Sequence, residues 1–290
     1  MKLVIIGGVA GGAAAAARAR RLNENVEIIM FERGEFISFA SCGLPYYAGN
    51  VIKEREALLV ATPERFRAWF NVDVRLQHEV IAIEAKKKYV RVKDRATGKE
   101  YSEIYDYIVL APGAEPVMPA IEGADLSCVH KVRTMGDIDM IKTKLDSGEV
   151  KQAVVIGAGF IGLEMAENIK ERGVEVTVIE KLDQVMLAFD KEMAVFLHQE
   201  LKAKGIRLYV NEEVKAIKKG GKSFVVQTSS GISLSTDLVI MVVGVRPEIG
   251  LAKQANIELG RRGIKVDRTM RTSDPAIFAV GDVVETEHPI

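Results

Sequence analysis

The chain has 290 residues, enough for about two domains at roughly 100–200 residues each, and 48% of them are hydrophobic, so sizeable cores can be buried. Lys plus Arg and Asp plus Glu balance at 40 each, which removes any general electrostatic reason to bind nucleic acid or an anionic membrane. The two cysteines, Cys42 and Cys128, are too few and too far apart for a disulfide framework or a zinc site, and they point to a reducing cytoplasm.

Met1 runs straight into an apolar strand, Lys2–Ile6, which leaves no room for a signal peptide. A glycine-rich turn follows, then a helix, then a second apolar strand that ends at Glu32. Glu64–Phe70 reads as a helix. Val80–Ile83 and Tyr89–Lys93 read as strands of a meander with a turn near Thr97-Gly98. Tyr107–Ala111 is an apolar strand ending in Pro112-Gly113, and Thr134–Lys144 reads as a helix. The opening pattern then returns at the strand Ala153–Ile156. Lys191–Lys204 is an amphipathic helix stopped by Gly205, and Ser223–Thr228 and Leu238–Val243 are strands. The longest apolar runs, such as Leu238–Val245, are strand-length and far short of a membrane span. No low-complexity linker separates the parts; the joints are short, at about Pro112–Pro119 and Gly231–Asp237.

The return of the pattern is an internal repeat. Gly7 matches Gly157 and Gly12 matches Gly162, each 150 positions on. Both copies read strand, glycine turn, helix, strand, glutamate. Both copies are βαβ units whose strands are continuous apolar runs because each sheet face is covered. In the second copy, Gly157-Ala158-Gly159-Phe160-Ile161-Gly162 has the spacing of a dinucleotide fingerprint: one glycine for the tight turn, one for close approach to a pyrophosphate, one for helix–strand packing. Glu180 follows 18 residues after Gly162, where a carboxylate can accept hydrogen bonds from a ribose 2′-OH; Lys181 stands beside it and leaves NADPH open beside NADH. The first copy departs from the pattern. Val9 holds the middle glycine position and Ala10 follows it, with extra glycines at Gly8 and Gly11; Glu32 lies 20 residues after Gly12. The fold expected is α/β, with two Rossmann-like dinucleotide-binding domains.

Near its end the chain reads Thr272-Ser273-Asp274-Pro275-Ala276-Ile277-Phe278-Ala279-Val280-Gly281-Asp282. This resembles the second flavin motif of the two-dinucleotide-domain flavoprotein reductases. Val109-Leu110-Ala111-Pro112-Gly113 and Val243-Gly244-Val245-Arg246-Pro247 match the same family. The resemblance covers nearly the whole chain. It implies an FAD domain split in two by an inserted NAD(P)H domain, with boundaries at 1–113, 114–235 and 236–290. It places FAD on Gly7 to Gly12, Glu32, Arg33, Val80, Ala111, Pro112, Gly113, Gly281 and Asp282, with Asp282 on the ribityl chain. It places NAD(P)H on Gly157, Gly159, Phe160, Ile161, Gly162, Glu180, Lys181 and Gly244.

The segment Ser38-Phe39-Ala40-Ser41-Cys42-Gly43-Leu44-Pro45-Tyr46-Tyr47 carries one cysteine without a neighbouring partner, so a local dithiol pair is excluded. It resembles the single-cysteine branch: coenzyme A–disulfide reductases, coenzyme A persulfide and polysulfide reductases, NADH oxidases and NADH peroxidases. In the first, a Cys42 thiolate attacks a disulfide or persulfide; in the oxidases and peroxidases it cycles through sulfenic acid. Cys128 has no such context and is expected to be a packing residue. On the first helix Gly11, Ala14, Arg18 and Arg21 share a face. Matched by position, Arg18, Arg21, Ser38 and Ser41 fall where coenzyme A–disulfide reductases contact coenzyme A. No metal is expected. The family normally continues into a C-terminal interface domain that forms a homodimer. The chain stops eight residues after Asp282, so a cofactor-binding core without complete catalysis is a third expectation.

Overall fold

A computed structural model describes residues 1–286. The chain divides into two compact units. One comprises Met1–Ala40, Leu59–Glu115 and the described residues from Arg246 on; the other comprises Ser41–Leu58 and Pro116–Val245.

The first unit is built on a five-stranded parallel sheet in the order Ile277–Ala279, Tyr107–Leu110, Lys2–Ile6, Glu27–Glu32, Asp73–Leu76. Side chains alternate across the sheet, so each apolar run feeds two cores. Val4, Ile6, Ile29, Phe31, Ile108 and Leu110 face an antiparallel meander of His78–Glu84, Tyr89–Asp94 and Glu100–Ile104, and pack on its Val80, Val90 and Val92. Ile5, Ile28, Met30 and Val109 face the other way, onto Ala13 and Ala16 of the helix Gly11–Leu22 and Phe66 of the helix Pro63–Phe70. The alanines of the first helix are what let it lie close to the sheet.

The second unit repeats this plan. Its parallel sheet runs Arg207–Tyr209, Glu175–Ile179, Gln152–Ile156, Leu238–Met241, Val129–His130. Its meander is Val214–Gly220, Ser223–Thr228 and Ser233–Thr236. Val154, Ile156, Ile179, Val239 and Met241 pack on Val214, Ile217 and Val226 of that meander, with Cys128 in the same core. The helix Met135–Asp146 starts at a capping box: Asp137 N–H donates to Thr134 Oγ1, and the Asp137 carboxylate accepts from Thr134 N–H. Lys191–Ala203 forms the expected helix, and Gly205 stands just past its end at φ +68°.

Three expectations change. The joint expected at Gly231–Asp237 is instead the strand Ser233–Thr236, whose backbone pairs with Phe224–Gln227. Leu238–Met241 pairs with Ala153–Ile156 inside the second sheet, so the second unit runs to Val245 rather than ending at residue 235. Ser41–Leu58 groups with the second unit, whereas the expected boundaries put it in the first. The reason for the last is a set of contacts to residues far along the chain. The Arg55 guanidinium donates to both carboxylate oxygens of Asp139 at 2.7–3.0 Å, Arg172 donates to Ala48 O at 3.0 Å, and the Lys142 ammonium lies 5.0 Å from the Tyr47 ring centre. Among the described residues no helix is long and apolar enough to cross a membrane.

Arg20 shows how the first helix is tied down. It is 9% exposed and directs its guanidinium at backbone carbonyls: Phe70 O at 2.7 Å, Asn71 O at 3.0 Å, Asn23 O at 3.4 Å, and Glu24 O. These are helix-end and turn carbonyls without intrahelical partners. Arg20→Ala is expected to cost about 2–3 kcal/mol in denaturant unfolding, since charge-assisted bonds to buried acceptors are lost. A loss below about 0.5 kcal/mol would show that water replaces the guanidinium there.

Candidate active site

The two glycine turns are built alike. Gly7 and Gly157 have φ of +98° and +104°, a region open to glycine and strained for other residues. A Cβ on Gly7 would lie 2.1 Å from Ala111 O, and one on Gly157 would lie 2.4 Å from Val242 O. A Cβ on Gly12 or Gly162 would fall 1.8 or 2.0 Å from the carbonyl oxygen of Gly7 or Gly157. So in each copy the glycines pin the helix start against the strand end and let the neighbouring strand cross close by.

The acids repeat as well. Glu32 accepts from Gly8 N–H and from Gly34 N–H, both at 2.8 Å; Glu180 accepts from Ala158 N–H at 2.8 Å and Leu182 N–H at 2.9 Å. Each carboxylate is thereby fixed at the mouth of its turn with lone pairs to spare for a ligand.

In the first unit, Gly7, Glu32, Arg33, Val80 and Pro112 line one cavity of about 80 Å³ together with His78 and Glu248. Arg33 bridges Glu115 and Glu248, both at 2.8 Å. Burial raises the Glu248 carboxyl above the ordinary carboxylate value, opposed by Arg33 and reinforced by Glu115. Gly113 has φ +77°, and Ala111 N–H donates to Ile6 O. A Cβ on Gly11 would lie 3.0 Å from the Val280 side chain, so the helix start and Val280-Gly281-Asp282 lie side by side. Gly281, at φ +80°, has open space where a Cβ would be, and Asp282 is exposed. Val9 and Ala10 precede the helix, with Ala10 at its N-cap and no side chain capping it.

In the second unit a cavity of about 460 Å³ is lined by Gly157, Ala158, Gly159, Glu180, Lys181 and Gly244, among others. That lies within the usual range of ligand sites. Gly159 and Gly244 have open space where a Cβ would be. Phe160 and Ile161 open the following helix and do not line this cavity; Phe160 borders a separate groove. Gly162 serves the packing just described. The lining also includes Glu212 and Glu213, which no sequence motif marks. They precede a strand, Val214–Gly220, that has no clear signature in the sequence, so nothing local places them beside Glu180.

Cys42 is exposed in a single turn, Ser41–Gly43, ahead of the short helix Leu44–Ala48. Cys128 is fully buried, and burial pushes its thiol up to about 11. Ser41 is exposed beside Cys42. In the first unit Arg18, Arg21 and Ala14 are exposed on one face of the first helix, as the spacing required. Arg21 lies over the Phe70 ring at 5.6 Å, and Arg18 has no polar partner among the described residues. Ser38 takes φ +47°; its N–H donates to Gly8 O and its carbonyl accepts from Val60 N–H.

Both cradles therefore fit a dinucleotide: backbone left open by glycine, a helix N-terminus, and a fixed carboxylate. The comparisons with known proteins agree. The chain is 36% identical over 288 residues to a coenzyme A disulfide reductase of Staphylococcus haemolyticus, covering 99% of this chain and 64% of that one. It is 38% identical over 286 residues to an NADH oxidase of Methanocaldococcus jannaschii, covering 98% and 63%. Among solved structures, reduced Bacillus anthracis CoADR-RHD superposes with a TM-score of 0.95 at 47% identity, covering 98% of this chain and 51% of that one. A NAD-dependent persulfide reductase from A. fulgidus gives a TM-score of 0.94 at 36% identity, covering 99% and 54%. The chain thus spans about half to two thirds of the length of these relatives. A family model described as pyridine nucleotide-disulphide oxidoreductase matches residues 1–289. The chain belongs to the pyridine nucleotide-disulphide oxidoreductase family, which binds FAD and NAD(P)H.

Proposed function

We propose that this chain is the FAD- and NAD(P)H-binding part of an oxidoreductase that reduces coenzyme A disulfide, coenzyme A persulfide or a polysulfide at Cys42. The observation that carries the reading is an exposed thiol standing alone: Cys42 is accessible, and the other cysteine is sealed in a core. Bound FAD and NAD(P)H supply the hydride and electron chemistry. Gly7 to Gly12, Glu32, Arg33, Val80, Ala111 to Gly113, Gly281 and Asp282 would hold the first. Gly157, Gly159, Glu180, Lys181 and Gly244 would hold the second.

The thiolate of Cys42 attacks one sulfur of the disulfide. A mixed disulfide forms on Sγ, the substrate S–S bond breaks, and one thiolate leaves. Two-electron reduction of that mixed disulfide frees the second thiolate and restores Cys42. Arg18 and Arg21, exposed on one helix face, suit phosphate groups on the substrate through charge-assisted bonds. Two unpaired cysteines fit a reducing compartment, the cytoplasm, and the reading includes a homodimeric whole enzyme.

The M. jannaschii relative keeps an oxidase or peroxidase reading in view, with Cys42 cycling through sulfenic acid. An anaerobic NADH titration of the FAD-loaded chain, followed by coenzyme A disulfide, separates the two. Bleaching of the flavin followed by reoxidation by the disulfide is expected. Reoxidation by oxygen or peroxide alone would transfer the assignment to the oxidase branch. A chain that holds FAD but is not bleached would leave a cofactor-binding core, and one that takes up no FAD would overturn the assignment of the first cradle.

A further inference from the structure

The nicotinamide cavity carries an electrostatic bias that the glycine fingerprint does not contain. Four charged side chains line it: Glu180, Glu212, Glu213 and Lys181. Lys181 is the one cation among them, and it is already engaged. Its ammonium meets Glu213 Oε1 at 2.9 Å, while the other oxygen of Glu213 takes Lys215. Those two partners hold the Glu213 carboxyl down to about 2, so it is ionised at neutral pH.

The backbone fixes this arrangement. Glu180 N–H donates to Tyr209 O at 2.8 Å, Glu212 N–H to Glu180 O at 3.0 Å, and Asn211 N–H to Leu182 O at 2.8 Å. Glu213 N–H donates to Ser229 Oγ, and Ser229 N–H returns to Glu213 O at 2.8 Å. The segment carrying Glu212 and Glu213 is therefore laced alongside Glu180–Leu182. Exposed ion pairs of this kind add little to stability, so their consequence lies in what the cavity accepts.

We infer that Glu213 is a specificity-determining residue that sets the chain for NADH over NADPH, by occupying Lys181 and keeping the cavity anionic. This rests on the reading of the second cavity as the nicotinamide dinucleotide site. A 2′-phosphate brings a charge of roughly −1.5 to −2 at neutral pH, as phosphate monoesters do. Against three carboxylates it meets repulsion, and the one lysine lining the cavity is shared with Glu213. With Glu213 uncharged, Lys181 becomes available as a phosphate ligand and one repulsive charge disappears.

The test is calorimetric binding of ADP-ribose and 2′-phospho-ADP-ribose to the FAD-loaded chain. Neither ligand carries a nicotinamide, so the readout does not depend on turnover. The parent chain is expected to prefer ADP-ribose by tenfold or more. Glu213→Gln is expected to narrow that preference by about 5–10-fold, an effect of one or two close charges at a solvated rim. Adding Lys181→Ala should cancel the gain, and raising the salt should shrink it. An unchanged ratio in Glu213→Gln, or a gain that survives Lys181→Ala, would overturn the assignment to Glu213 and leave the cavity's identity intact. Failure of both ligands to bind the parent chain would instead overturn the nicotinamide reading and this inference with it.

Discussion

Cys42→Ser is expected to lower disulfide-dependent turnover by about a thousandfold or more while leaving reduction of the bound flavin by NADH intact. The size follows from the chemistry. A serine hydroxyl stays protonated at neutral pH and forms no mixed disulfide, so the variant lacks the covalent step altogether. The effect should not be masked by misfolding: Cys42 is exposed, the replacement is nearly isosteric, and exposed substitutions away from special features usually shift stability by under about 0.5 kcal/mol. Nor can the second thiol stand in. Cys128 is fully buried beneath the meander of the second unit, among Val154, Ile156 and Val239, with its thiol pushed up to about 11. Cys128→Ser therefore serves as the control and should change unfolding more than turnover. Stopped-flow absorbance separates flavin reduction from reoxidation by coenzyme A disulfide. Turnover surviving in Cys42→Ser would remove this cysteine from the reaction.

Much of this was legible because the chain repeats itself. The offset of 150 between Gly7 and Gly157 marks two units, and the structure gives both the same turn, the same carboxylate clasp and the same order over four sheet strands; only the edge strand differs, Ile277–Ala279 following the other four in the chain and Val129–His130 preceding them. Apolar runs buried on both faces, such as Val154-Val155-Ile156, announce themselves in sequence. Half-exposed strands do not. Val214–Gly220 contains three lysines and Ser233–Thr236 is mostly polar, so these two of the three meander strands of the second unit lacked an apolar signature. That omission hid Glu212 and Glu213, which line the cavity because the segment just before Val214–Gly220 is hydrogen-bonded alongside Glu180–Leu182. Spacing put Arg18 and Arg21 on an open face, but it gave no sign that Arg20 turns inward; that depends on the carbonyls of Phe70 and Asn71, some fifty residues away. The grouping of Ser41–Leu58 with the second unit rests on Arg55–Asp139 and Arg172–Ala48, pairings between distant residues that no local pattern encodes.

The repeat also yields a pair of opposed outcomes. Gly12→Ala is expected to abolish FAD retention, and Gly162→Ala to abolish NADH binding while FAD is kept. In each case the new methyl would sit about 2 Å from a backbone carbonyl, Gly7 O or Gly157 O, with a second contact at 3.0 Å to the carbon of the same carbonyl. Backbone cannot swing aside as a side chain can, so the helix start must lift off the turn, at a cost of about 3 kcal/mol in unfolding free energy. The amides that would face a pyrophosphate move with it. Gly159→Ala separates packing from approach. Its φ is −80° and a Cβ there meets nothing within 4 Å, so the substitution should leave the melting temperature nearly unchanged. Any NADH affinity it loses must come from the ligand needing that open backbone. Flavin absorbance after purification, NADH titration and calorimetric melting read the three variants. Full FAD content in Gly12→Ala with an unchanged melting temperature would mean the turn relaxes around a methyl group. A weakening of NADH in Gly162→Ala but not in Gly159→Ala would mean that the second turn holds its ligand by helix placement rather than by close backbone approach.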